Sequence, residues 1–252
     1  YGDKLEGNFD IGMNGIGAMP LYSKVKSGEQ YVDVDYSELL QSGILKRVNH
    51  KGKPLTLHVW GWDVNNPKGD NIKYNVEVYL VYRAGTPLYL LKCPVFDILY
   101  NDKRVCRFAQ ETVFGKAVYE LCNRLNIIPD ILHLNEAHTV VAAVLMKADP
   151  KFAKTKVVYT NHTLVPAGLE IFDSCIVDYD VNRMFYQLGL SEEVDDDFRG
   201  LFITPEGRVD FCRAAIMLAD IINAVSNEHA LATEALFKCL YPDIFIGAKA
   251  IV

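Results

Sequence analysis

Two stretches decide how this sequence folds: Asp130-Ile131-Leu132-His133-Leu134-Asn135-Glu136-Ala137-His138 and Lys156-Val157-Val158-Tyr159-Thr160-Asn161-His162-Thr163. Each is an apolar run of strand length that ends in a cluster of polar residues. Between them Val140, Val141, Val144 and Leu145 recur on one helix face. Strand, helix, strand at this spacing reads as a βαβ unit, and a parallel sheet is its economical form. The fold class is therefore α/β with a mostly parallel sheet.

Upstream, Val105, Phe108, Phe114, Val118, Leu121 and Leu125 predict a long helix that Asn126 ends. Before it, residues 50–95 form a β-rich subregion. Leu55 to Trp60 and Tyr74 to Tyr82 read as strands, Arg83 to Pro87 as a turn, and Leu88 to Leu91 as a short buried strand. The first fifty residues, punctuated by Gly7, Gly12, Gly15, Gly17 and Gly28, read as irregular. Downstream, Glu192, Glu193, Asp195, Asp196 and Asp197 mark a solvated acidic loop. Phe211, Ala214, Ala215, Leu218, Ile221, Ile222 and Val225 predict one helical stripe of core packing. Ala224-Val225-Ser226 and Ile244-Phe245-Ile246 predict short late strands.

The chain of 252 residues is half hydrophobic, enough for a sizeable core, and is read as one domain over residues 1–252. Its net charge of −6, without a basic stripe, argues against nucleic-acid partners and membrane surfaces. No window reaches the eighteen or so apolar residues of a membrane span. The six cysteines are far apart with no CxxC pair, which fits reduced thiols in a cytoplasmic protein. A start at Tyr1 hints at a trimmed or fragmentary product.

In open α/β sheets, ligands bind at the carboxyl ends of the strands. Asn135, Glu136 and His138 fall at such an end, where amide, carboxylate and imidazole together suit a polyhydroxylated ligand. The same residues suit a helix cap, with Asn135 as N-cap and Glu136 in the first turn, so this segment alone leaves both readings open. The second segment repeats the arrangement with His162. Two adjacent parallel strands that each deliver a histidine to one edge make the site reading sharper. His133, His138 and His162 lack the spacing of a zinc enzyme, and no metal is expected. Gly15-Ile16-Gly17 matches no phosphate-loop spacing.

With those residues in view, a family resemblance emerges. His133 to His138, HLNEAH, resembles the HLNEGH-type motif of the α-glucan phosphorylases, and Thr160 to Gly168 looks like their THTPVPAG-type motif. Leu99-Tyr100-Asn101-Asp102 with Arg107, Gln110 and Glu111 is similar to a loop and helix of that family. Asn223 to His229 resembles its NGVS-x-LHG segment. The resemblance covers roughly residues 88–246.

It implies the Rossmann-like amino-terminal domain of a GT-B glycosyltransferase that splits terminal α-1,4-glucosyl units with phosphate, giving glucose 1-phosphate with retention. His162 would bind the glucosyl hydroxyls, and His138 would help to build the same pocket. Glu136 would orient a histidine, and Asn101-Asp102 would gate substrate. Pyridoxal phosphate, the family's cofactor, is held by a lysine in a carboxyl-terminal domain. The chain ends about where the family crosses into that domain. The cofactor is therefore not expected in this chain alone, and the isolated chain is expected to be inactive. The implied partners are an α-1,4-glucan, phosphate and the missing domain, with homo-oligomerisation left open. Two alternatives remain: a non-catalytic glucan-binding or regulatory module, and a glycogen-synthase-like half. The latter would want a KxGG-type donor loop, which Lys4-Leu5-Glu6-Gly7 does not supply.

Overall fold

The computed structural model describes residues 14–61, 63, 72–98, 103–165, 169–172 and 200–245. They fall into two compact units, one within residues 1–61 and 71–125, the other within 62–70 and 126–252.

The first unit starts with β1 (Gly17–Pro20), the hairpin β2 (Lys24–Ser27) and β3 (Gln30–Asp33), and α1 (Ser37–Gln41). The short strands β4 (Lys46–Arg47), β5 (Asn49–His50) and β6 (Lys53–Pro54) follow. The expectation of an irregular start is thus corrected for residues 17–50. Their strands span only two to four residues and β3 is fully exposed, so they carry little alternation of apolar and polar side chains to read.

The body of this unit is the antiparallel trio β7 (Thr56–Gly61), β8 (Ile72–Arg83) and β9 (Thr86–Lys92), with β1 parallel to β9 at the far edge. The sheet here is mixed. The β8–β9 turn is tighter than expected: Ala84 and Gly85 alone make it, both at positive φ, and Thr86 and Pro87 already belong to the strand. Positive φ at both central residues matches the right-handed twist of the flanking strands.

Helix α2 (Arg104–Leu125) buries Phe108, Val113, Phe114, Ala117 and Leu121. Asn126 stops it at a φ of 53°, a left-handed conformation that asparagine tolerates. The helix lies close against β7: a Cβ on Gly61 would stand 2.6 Å from Val113 Cγ2. Gly61→Ala is therefore expected to cost about 1–3 kcal/mol through overpacking. The readout is a lower urea midpoint at unchanged m value; an unmoved midpoint would show that α2 yields freely.

The second unit is the parallel sheet β10 (Ile131–Asn135), β11 (Lys156–Thr160) and β14 (Ile221–Asn223), paired in that order. Helix α3 (Val140–Ala148) connects β10 to β11, as the βαβ reading required. The pair β12 (Ile171–Phe172) and β13 (Val209–Asp210) leads into α4 (Phe211–Leu218), and α5 (Asn227–Leu240) closes the unit. Leu134, Val157, Tyr159 and Ile222 form the buried face of the sheet. Phe237 of α5 stacks on the Tyr159 ring, and Cys212 Sγ of α4 lies 3.4 Å from the Tyr159 hydroxyl.

The stripe read across residues 211–225 as one helix is corrected. The helix stops at Leu218, Ala219 is extended, and Ile221 and Ile222 sit in β14. The cause is Asp220, whose carboxylate accepts the Val157 N–H at 2.8 Å and Lys156 Nζ at 2.9 Å, tying the chain to β11. The late strand is consequently Ile221–Asn223 instead of Ala224-Val225-Ser226. Ile244 and Phe245 turn back onto Tyr241 after α5 and form no strand. Ile246 and the acidic loop at residues 192–197 lie outside the described residues. No helix among the described residues is long and apolar enough to cross a membrane.

Candidate functional site

Because β10, β11 and β14 run parallel and in register, their carboxyl ends lie side by side: Asn135 is opposite Thr160, and Thr160 opposite Asn223. Glu136 leaves β10 with a φ of 74°, in the left-handed region. Such a conformation in a non-glycine residue costs on the order of 1–3 kcal/mol and persists only where neighbours over-determine it. Here the Glu136 N–H donates to the Thr160 carbonyl at 2.9 Å, and the Glu136 carbonyl accepts the Thr139 hydroxyl at 3.0 Å.

The turn sends the carboxylate across to β11. Glu136 Oε1 accepts both the His162 backbone N–H, at 2.8 Å, and the Thr163 hydroxyl, at 3.2 Å. Asn135 Oδ1 lies 3.0 Å from His162 Nε2. A carbonyl oxygen only accepts, so in this contact the ring donates from Nε2. His162 itself is exposed at the rim. Burial pushes the Glu136 carboxyl above its ordinary range, the two donors at Oε1 oppose that shift, and the Glu170 charge adds to it.

The helix-cap reading of these side chains is corrected by this geometry. Neither Asn135 nor Glu136 caps a helix with its side chain: the short 3-10 turn Ala137–Thr139 and α3 both lack a side-chain cap bond at their start. Both side chains instead reach the His162 segment. His138 is carried onward in the 3-10 turn, half-buried. Asn101 and Asp102 lie outside the described residues. His133, read as part of an apolar strand, stands on the more exposed face of the sheet with Nε2 2.7 Å from Thr160 Oγ1. Among the described residues no group of three or more His, Cys, Asp or Glu assembles as a metal site.

Several neighbours were not picked out from the sequence as site residues. His229, in the first turn of α5, lies with Nε2 3.4 Å from the His162 carbonyl. Ser226 caps that helix by accepting the His229 N–H at 3.1 Å. Asn161 is 1% exposed, its Oδ1 accepts the Thr163 N–H at 3.3 Å, and its Nδ2 is buried with no hydrogen-bond partner. A serine followed three residues later by a histidine could have flagged the start of α5. Nothing local could have flagged Asn161. The cluster offers fixed amide, imidazole and carboxylate groups at one strand edge, the equipment for hydrogen-bonding a polyhydroxylated ligand.

Comparison with known proteins places this chain in a family. The family model described as the starch synthase catalytic domain matches residues 30–236. The chain belongs to that family. Its fold is that of the GT-B glycosyltransferases: the catalytic domain of starch synthase IV from Arabidopsis thaliana, bound to ADP and acarbose, superposes with a TM-score of 0.60 at 13% identity. That match covers 98% of this chain and 46% of the solved one. Maltodextrin phosphorylase of Thermococcus litoralis is 28% identical over 95% of this chain and 31% of its own length. Glycogen synthase of Caldicellulosiruptor saccharolyticus is 31% identical over 58% of this chain and 29% of its own. The chain thus spans roughly a third of these curated relatives.

Proposed function

We propose that this member of the starch synthase catalytic-domain family is the amino-terminal, glucan-recognising part of an α-glucan phosphorylase. The reaction is phosphorolysis of terminal α-1,4-glucosyl units to glucose 1-phosphate with retention. The observation that carries this reading is His162 at the carboxyl edge of the sheet, its ring held by Asn135 and its backbone by Glu136. The likeness to maltodextrin phosphorylase also runs along 95% of the chain, against 58% for the glycogen synthase of C. saccharolyticus.

In this reading the chain's own residues bind and orient. His162 hydrogen-bonds glucosyl hydroxyls, Asn135 fixes its ring, and Glu136 fixes its backbone. His138 would help to build the same pocket. Groups placed in advance stabilise an oxocarbenium-like transition state without reorganising as charge develops.

Pyridoxal phosphate would supply proton relay to the substrate phosphate. The described residues do not fit it. Lys116 is their one buried lysine, and its amine is already taken up by the Trp60 carbonyl of β7. The cofactor would belong to a carboxyl-terminal domain, and no step here passes through it.

A second reading, a glycogen-synthase-like transferase, draws on the family model itself. One experiment separates the two. The product of the full reading frame is incubated with maltodextrin plus phosphate, and separately with maltodextrin plus ADP-glucose. Release of glucose 1-phosphate is expected. Chain elongation from ADP-glucose without phosphorolysis would overturn the phosphorylase reading in favour of the synthase, and binding without either product would point to a non-catalytic module.

A further inference from the structure

Resting on the glucan-site reading above, we infer that Thr160 is a positioning residue, the tie that brings Asn135, Glu136 and His162 into one constellation. Thr160 is the last residue of the middle strand and is fully buried. It makes contact in three directions. Its carbonyl accepts the Glu136 N–H at 2.9 Å and so holds the left-handed turn from which the Glu136 carboxylate reaches His162. Its Oγ1 accepts from Asn223 Nδ2 at 3.0 Å, on the strand to one side. The same oxygen lies 2.7 Å from His133 Nε2, on the strand to the other.

A hydroxyl that takes the Asn223 donor still has its own proton to give to the imidazole. One side chain thereby links all three strand ends at a single level. His133 and Asn135 share a face of β10, two residues apart, so anything that sets the height of His133 also sets Asn135. Asn135 in turn holds the His162 ring. Along β11, Thr160 is two residues before His162, with buried Asn161 between them. Thr160 thus acts on His162 by two routes: through the β10 side chains, and through the Glu136 turn.

The carbonyl bond belongs to any residue at this position, whereas the hydroxyl bonds belong to threonine or serine. Thr160→Val keeps the shape and removes only the hydroxyl; Thr160→Ser keeps the hydroxyl. In the full gene product, Thr160→Val is expected to lower kcat/KM for phosphorolysis of maltoheptaose about 10- to 100-fold. Most of the loss falls on kcat, and Thr160→Ser returns most of it. A valine variant at the wild-type rate, or a serine variant no better than valine, overturns the inference.

A second measurement is independent of turnover. In the 252-residue chain with ¹⁵N-labelled histidine, the His162 ring nitrogens should show the proton on Nε2. That pattern should change in Thr160→Val, change likewise in Asn223→Ala, and return in Thr160→Ser. His162 signals indifferent to all three substitutions would sink the inference. If the wild-type product releases no glucose 1-phosphate, the phosphorylase reading falls by itself, and the histidine spectra still decide the role of Thr160.

Discussion

His162→Ala is expected to lower kcat/KM for maltodextrin phosphorolysis by the full gene product about 100- to 1000-fold, the range seen when one prearranged donor aimed at a transition state is removed. The fold should tolerate the change. His162 is exposed, and loss of its ring leaves Asn135 Oδ1 at the rim to be rehydrated. The backbone N–H that Glu136 accepts survives in alanine. A large kinetic loss at an unchanged melting temperature is therefore the signature to look for. An unaltered rate would remove His162 from the site and, with it, the observation on which the phosphorylase proposal stands.

Lys116→Met is expected to raise the stability of the chain at pH 7 by about 2–3 kcal/mol, because a buried amine is replaced by an apolar chain of similar length. Lys116 is 7% exposed and donates to the Trp60 carbonyl at 2.9 Å. Burial, with no opposing charge, pulls its pKa from 10.5 to about 7. Between those two values the unfolded chain holds a proton on this amine that the folded chain does not. Unfolding then takes up a proton, so stability rises with pH across the window, by about 1.4 kcal/mol per unit at its steepest. Below about 7 both states are charged, and this residue's penalty is at its fullest. Urea melts between pH 6 and 10 should show the rise in the wild type and its loss in Lys116→Met. A flat wild-type profile, or a destabilised methionine variant at pH 7, would show that the amine is better solvated than its place between α2 and β7 implies.

Legibility varied with how far along the chain the deciding contact lay. Lys156–Thr160 and the end of the long helix at Asn126 were readable because alternation, helical periodicity and a left-handed stop are local properties. The break after Leu218 was not. Ile221 and Ile222 continue the helical stripe in sequence, and only Asp220 binding Val157, 63 residues away, diverts them into the sheet. The same holds at the site. Asn135 and Glu136 have the composition of a helix cap, and nothing in their own segment distinguishes capping from a bond to His162.

Composition and periodicity were sufficient for the α/β class, for parallel strands joined by a helix, and for a polar carboxyl end of β11 bearing His162, whereas His138 is carried on into the 3-10 turn after β10. The roles within that edge came from tertiary structure: Glu136 at a positive φ, His162 pinned by Asn135, and Thr160 joined to both neighbouring strands. The reason is physical. Local propensity and hydrophobic pattern act over a few residues, whereas a hydrogen bond between parallel strands joins groups whose meeting depends on how the intervening helix packs.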